Sequence, residues 1–431
     1  MNIKKIQWSI ILSILMLSAP ALAAEASKID TGDTAWVLVS AALVMLMVPA
    51  VGLFYGGMVR KKNALSTIMF SFAILALISV QWVLFGYTLS FGPDVGGVIG
   101  NLDWAGLIGV GQEPNTDYAA TIPALAFMIF QAMFAVITVA LITGAFVERI
   151  KFSAFMVFAL LWATLVYDPI AHWVWGTGGW LRNLGALDFA GGTVVHISSG
   201  VSALAIALVI GARKGFGKHS MEPHSIPMVV LGAVLLWFGW FGFNGGSAVA
   251  SGGLAASAFV VTNTAAAAAA LMWTLLSWYY KRPSVLGTAT GAVVGLVAIT
   301  PASGFVTPLA AIIIGALAAV FSYYAMLFRM KRNIDESLDV WACHGIGGTW
   351  GAIATGIFAT AAVNAAGSGL IDGNASQVLI QLTAVAATWV YAFVVTFILA
   401  KIIDATIGLR VTDEEESVGL DISQHAEKAY S

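Results

Sequence analysis

The sequence predicts an all-α membrane protein of eleven transmembrane helices, laid out as a five-plus-five inverted repeat with one extra C-terminal helix, the N-terminus outside and the C-terminus inside. Three observations predict it. The chain of 431 residues is 59% hydrophobic and only 10% charged, with a mean hydropathy of +0.90, whereas a soluble domain carries about 25% charged residues. Long apolar runs recur along its length. Basic residues cluster in every second break between those runs.

Composition also excludes partners and chemistries. Lys plus Arg total 20 against 22 Asp plus Glu, a balance that gives no reason to expect nucleic acid. The single cysteine, Cys343, excludes an intrachain disulfide framework and any multi-cysteine metal site. No metal and no other cofactor are expected.

Taken in order, the chain starts with Lys4-Lys5, an apolar stretch from Ile6 to Leu17, and Ala21-Leu22-Ala23. This is the charged, apolar and small-residue pattern of a secretory signal peptide cut after Ala23. An uncleaved first helix is the alternative, although the apolar run is shorter than the ~20 residues that a span needs. The expected division is a leader over 1–23, a membrane domain over 24–410 and a cytoplasmic tail over 411–431, in a bacterial inner membrane.

The apolar runs cover 34–58, 64–91, 121–147, 152–174, 190–211, 226–245, 254–280, 285–300, 304–329, 339–360 and 377–404. Each is close to the ~17–25 residues that cross a hydrocarbon core, 285–300 being the shortest. The basic clusters are Arg60-Lys61-Lys62, Arg149 with Lys151, Arg213-Lys214 with Lys218, Lys281-Arg282, and Arg329 with Lys331-Arg332. All fall in alternate loops. The loops between them, including the acidic 92–120 segment with Asp94, Asp103, Glu113 and Asp117, hold almost no Lys or Arg apart from Arg182. The positive-inside rule then puts the mature N-terminus outside and the tail inside.

Two pairs of segments echo each other at an offset of five runs: Leu53-Phe54-Tyr55-Gly56-Gly57 with Gly242-Phe243-Asn244-Gly245-Gly246, and Leu187-Asp188 before His196 with Leu338-Asp339 before His344. An odd offset inverts the second half, the design common among transporters, with the substrate path between the halves. Chance also produces echoes this short.

His196 and His344 each lie inside an otherwise apolar run. At ~1.5 Å per residue, His196 is about 12 Å inward from Asp188, and His344 roughly 8–10 Å from the start of its own helix. Both approach the middle of a ~30 Å core. Ionisable groups at that depth normally face a bundle interior or a pathway, and a neutral imidazole offers one donor and one acceptor to a small polar amine shedding water. An interhelical hydrogen bond is the alternative for either histidine alone. Glycines 191, 192, 200, 345, 347 and 348 flank them and permit close helix approach.

On the outer side, Trp175 belongs either to an interfacial aromatic belt, with Trp173 and Trp180, or to a cation–π platform worth about 0.5–2 kcal/mol. Composition leaves both open. Phe134, which follows Gln131, and Phe243 have packing as their ordinary role. Ser247 offers a hydroxyl either to a cation or to its own backbone. Asp188 reads as a helix N-cap that also holds loop backbone near the outer mouth.

At these residues the sequence resembles the Amt/MEP/Rh ammonium transporter family. Asp188 to His196 reads as the family signature; Trp240 to Ser247, Cys343 to Gly348 and Phe54 to Gly57 look like further family blocks. The resemblance spans essentially the whole mature chain. It implies ammonium as substrate, with methylammonium, and a homotrimer with a pore in each subunit. It implies that Trp175, Ser247 and Phe134 recruit NH4+, that Phe134 and Phe243 form a stacked gate, that His196 and His344 are the twin histidines of the pore, and that Asp188 is the structurally required acid. A bare ion of this size faces an idealised cost on the order of 20 kcal/mol in a low-dielectric core, so NH4+ is expected to lose its proton and cross as NH3. The tail, with Asp413-Glu414-Glu415-Glu416, reads by composition as solvated and disordered, and by resemblance as the binding segment for a PII-type signalling protein. Two other readings compete: an ammonium sensor whose output element is the tail, and a membrane enzyme using the two histidines, against which the lack of a nearby carboxylate or Cys/His set argues.

Overall fold

A backbone surrounded by lipid must satisfy every N–H and C=O internally, and a helix does so within one segment. The computed structural model describes residues 29–430, so the leader expected over 1–23 lies outside the described residues. Among these, nine helices are long and apolar enough to cross a membrane: α1 (Thr31–Met58), α2 (Lys61–Phe91), α3 (Ala124–Ala145), α4 (Phe152–Leu184), α5 (Gly192–Ile210), α6 (Ile226–Gly246), α7 (Gly253–Tyr280), α9 (Pro308–Lys331) and α11 (Ser376–Thr406). Two shorter helices, α8 (Val285–Ile299) and α10 (341–358), complete the bundle. Each of the eleven apolar runs falls on one of these helices. α4 is interrupted after Trp175, residues 176–179 being non-helical, and resumes as a short helix over Trp180–Leu184.

Elements five helices apart pack together, α1 along α6 and α5 against α10. The approach is close because side chains are missing at the crossings. A Cβ on Gly232 of α6 would lie 2.4 Å from the Phe54 nitrogen of α1, and one on Gly200 of α5 would lie 2.0 Å from the Gly345 nitrogen of α10. No residue larger than glycine fits either crossing.

Both histidine segments, Gly192–Ile197 and Trp341–Ile346, are π-helical. π turns are rare, add a residue to the turn, and concentrate at functional positions. The acids that start these two turns do not stand at echoing positions. Asp188 caps the first, but the second is capped by Glu336, whose carboxylate accepts from the Val340 and Trp341 nitrogens at 3.0 and 3.2 Å. Asp339, the residue matched by sequence, sits at a left-handed φ of 59° and pairs with Arg329 Nε at 2.7 Å.

Glu336 lies in the loop between α9 and α10, and burial, then the neighbouring Asp339 carboxylate, push its carboxyl up to about 7. The folded chain therefore holds this proton more tightly than the unfolded chain, where the group titrates near 4.5. Its contribution to stability falls as pH rises from about 4.5 toward 7 and is level above that. Glu336→Gln should flatten this slope. Comparing thermal midpoints of the two proteins at pH 5 and pH 8 checks it; the parent should lose a few degrees more than the variant.

The tail is folded, against the disorder that its composition suggests. It forms α12 (Asp413–Val418) and α13 (Leu420–His425), the first opened by a Thr412–Glu415 capping box. Leu420, Glu416 and Asp421 are buried. Glu416 accepts from Arg410 Nη2 and the Lys214 nitrogen, both at 2.6 Å, and Asp421 Oδ1 accepts from the Ser66 nitrogen at 2.8 Å. Asn63 joins the tail to the body: its Oδ1 accepts from the Leu420 nitrogen at 2.8 Å and its Nδ2 donates to Glu148 at 2.9 Å. Burial pushes the Glu148 carboxyl up, but the Arg213 and Arg60 guanidiniums together outweigh it and hold the group below its usual range. Composition missed this because two acidic residues of the tail, Glu416 and Asp421, have dedicated partners on other segments.

Candidate functional site

Three cavities lie in series between the halves. At the end opposite the tail, one of about 270 Å³ is lined by Phe127, Gln131, Phe134, Trp175, Asp188 and Ser247 among others. A middle pocket of about 10 Å³ touches Tyr55, His196, Trp240, Phe243 and His344, room for about one water-sized molecule. The third, about 350 Å³, opens toward the tail end and reaches Cys343 and His344. Phe134 and Phe243 part the first two cavities, with ring centroids 4.3 Å apart and planes inclined by 34°. His344 lines the second and the third.

The structure brings the two histidines together. Their Nδ1 atoms are 3.2 Å apart, both residues are buried, and they come from π turns on helices that enter from opposite ends. The neighbouring bonds fix who donates. Thr300 Oγ1 gives its only hydrogen to Leu296 O at 2.8 Å and accepts from Trp240 Nε1 at 2.9 Å. Toward His196 Nε2, 3.3 Å away, it can only accept again. A neutral His196 therefore carries its proton on Nε2 and presents a lone pair at Nδ1, so His344 donates from Nδ1 and keeps its own Nε2 as an open acceptor.

Asp188 starts the first of these turns. Its carboxylate accepts from the backbone nitrogens of Gly191, Gly192 and Thr193 at 2.8, 2.6 and 2.7 Å, and from the Thr193 hydroxyl. Its carbonyl accepts from Trp175 Nε1 at 2.9 Å. Trp175 thus lines the cavity, edge-to-face with Phe134 at 5.8 Å, and Arg182 Nη1 pins its carbonyl at 2.7 Å. Trp173, assigned with it to an aromatic belt, is only 8% exposed and donates to Val98 O; it is a core residue, because the 92–104 loop folds back over it. The Ser247 hydroxyl donates to its own Phe243 carbonyl at 2.8 Å while facing the cavity.

Several participants had no role in the sequence. Thr300 sets the histidine tautomers from the end of α8, a position with no motif; Trp240 sits in a quoted block with no role of its own. Asp168 was findable, as a carboxyl in the middle of an apolar run. It is fully buried and accepts from Gln81 Nε2 at 2.8 Å and Ser90 Oγ at 3.3 Å. Four residues on, His172 lies between Ser90 O and Asp94 Oδ1, at 3.0 and 2.9 Å. Among the described residues, no group of three or more His, Cys, Asp or Glu is placed to hold a metal ion.

Comparison with known proteins agrees with this arrangement. The family model described as Ammonium Transporter Family matches residues 35–430. The chain is 55% identical over 400 residues to the ammonium transporter Amt1 of Archaeoglobus fulgidus, across 93% of this chain and 99% of that relative. The crystal structure of Candida albicans Mep2 matches with a TM-score of 0.85 at 38% identity, covering 90% of this chain and 88% of that one. A structure described as a sensor Amt protein matches with a TM-score of 0.85 at 30% identity, covering 91% and 98%. This multi-pass helical membrane protein, with its paired buried histidines between two packed halves, belongs to the ammonium transporter family, a family of transporters rather than enzymes.

Proposed function

We propose that the protein carries ammonium across a bacterial inner membrane by recruiting NH4+ at an outer site, removing its proton and conducting NH3 along a dry pore, with net transfer of charge. In this reading all eleven helices span, the N-terminus is outside, and the tail with the basic loops is cytoplasmic. NH4+ loses water against Trp175, Phe134 and Ser247, where π faces and a hydroxyl oxygen replace hydration. The Phe134–Phe243 pair bars the way inward. Beyond that pair the pocket has room for about one water-sized molecule, and an ion without its shell faces a steep desolvation cost. Transfer of the proton at this gate lets NH3 proceed, with His344 Nε2 as an acceptor for one of its N–H groups, while the proton crosses by a separate or histidine-linked route and accounts for the net charge. Asp188 acts as a positioning residue for both Trp175 and the His196 turn.

The single observation that carries the proposal is the direct contact of two buried imidazoles in a pocket otherwise walled by aromatic and aliphatic side chains. Current from reconstituted protein on an ammonium pulse tests it. An ammonium-dependent current that a potassium pulse does not evoke is expected; absence of current, together with absence of methylammonium uptake, would instead favour a sensor, the reading suggested by the similarity to the sensor Amt protein.

The homotrimer and the PII-type partner belong to the same proposal. The folded tail supports the second by offering an ordered surface at the cytoplasmic mouth. Deleting 411–431 should abolish membrane recruitment of the PII protein in a co-sedimentation assay; unchanged recruitment refutes that assignment.

A further inference from the structure

The Asp117 carboxylate is exposed at the rim of the outer cavity, but the buried part of its lining has few hydrogen-bond acceptors to spare. Both Asp188 carboxylate oxygens are taken by Gly191, Gly192 and Thr193. The Asp188 carbonyl is taken by Trp175, the Trp175 carbonyl by Arg182, the Leu187 carbonyl by Gln381 and the Phe243 carbonyl by Ser247. Tyr118 OH donates to Phe91 O and accepts from the Thr177 nitrogen. Against this background Gln131 stands out. It lines the cavity beside Phe134 and Trp175, it is only 9% exposed, and its amide oxygen is buried without a hydrogen-bond partner. A buried polar group left unpaired in a native fold calls for an explanation.

Ammonium and potassium ions carry the same charge and are of similar size, so aromatic faces alone discriminate poorly between them. Directional acceptors do better, because NH4+ offers N–H bonds in fixed directions and a spherical ion offers none. An amide oxygen is such an acceptor. No protein hydrogen bond holds the Gln131 oxygen in its buried orientation, so rotation of the terminal amide carries it to the cavity side without breaking one.

We propose that Gln131 is a specificity-determining residue of the outer site, its amide carbonyl accepting an N–H of the ammonium ion as water is stripped at Trp175 and Phe134. Ser247 then supplies the second side-chain oxygen. This inference rests on the outer-site reading of Trp175 given above and adds to it the group that separates ammonium from alkali cations.

The test measures ammonium-evoked current in proteoliposomes against ammonium concentration, with K+ as competitor, for the parent and for Gln131→Leu, Gln131→Glu and Trp175→Leu. Gln131→Leu keeps most of the bulk and removes the acceptor. The KM for ammonium should rise about tenfold, with maximal current little changed, as expected for loss of one hydrogen bond to a charged group. The ratio of the K+ inhibition constant to that KM should fall. Gln131→Glu retains an acceptor and should leave KM at or below the parent value, which keeps the test decisive if the leucine variant does not fold. If Trp175→Leu raises KM while Gln131→Leu leaves both KM and the K+ ratio unchanged, the Gln131 assignment is overturned and the outer site stands. If neither variant moves KM, the outer-site reading itself fails and takes this inference with it. A raised KM in Gln131→Glu also overturns it.

Discussion

Asp188→Asn should abolish ammonium current and lower the thermal midpoint by several degrees, although the replacement is nearly isosteric. The carboxylate is surrounded by donors, namely four backbone N–H groups, with Val194 the most distant at 3.4 Å, and the Thr193 hydroxyl. An asparagine supplies one oxygen. Its NH2 must then point at N–H groups that already have nothing else to bond, in a site only 8% exposed. Hydrogen bonds to a charged acceptor are worth about 1.5–3 kcal/mol each, and a buried donor left unmade costs about 1–3 kcal/mol. Losing part of this set costs about 3–5 kcal/mol, and it falls on the turn that aims His196 and on the carbonyl that holds Trp175. Asp188→Glu keeps the charge but needs room for a methylene, so partial current is expected. Current recordings and thermal unfolding of the purified variants check both; full current from the asparagine variant would remove Asp188 from the positioning role.

The second large effect is expected from the histidines. The His196→Ala, His344→Ala double variant should bring ammonium current down to that of empty liposomes. Each imidazole is the other's partner at 3.2 Å, so a single alanine leaves the survivor with a buried nitrogen unpaired, at a cost of about 1–3 kcal/mol. Singles are therefore expected to lose stability as well as current, and the double variant separates the two effects because no orphan nitrogen remains. Retained current in a well-folded double variant rejects the histidines as part of the path. A current that appears for potassium as well as ammonium shows the opposite failure, a pore widened enough to stay hydrated.

Much of this architecture was legible in the sequence, because hydropathy reports directly on which segments are soluble in lipid. Each apolar run coincides with a helix, and two histidines in apolar surroundings pointed to the centre of the bundle. What escaped is what depends on the neighbour rather than on the segment. The π turns at His196 and His344 leave no period in six residues. The Leu338-Asp339 echo of Leu187-Asp188 gives no hint that the second turn is capped by Glu336, three residues earlier. Trp173 and Trp175 look interchangeable on paper, and only the fold of the 92–104 loop decides that one is covered and the other faces the cavity. The tail reads as solvated because composition does not reveal that Arg410 and Asn63 hold it, or that Lys62 Nζ donates to the Glu416 and Ser417 carbonyls at 2.7 and 2.6 Å.

The glycine crossing at Gly200 and Gly345 carries a consequence for what can be excluded. Where two main chains touch with no side chain between them, the spacing at that level is set by backbone and cannot breathe as a ring of rotamers can. The mouth beside Trp175 has no such restriction. A bulky alkylamine that satisfies the mouth should therefore lodge there as a stopper rather than travel as cargo.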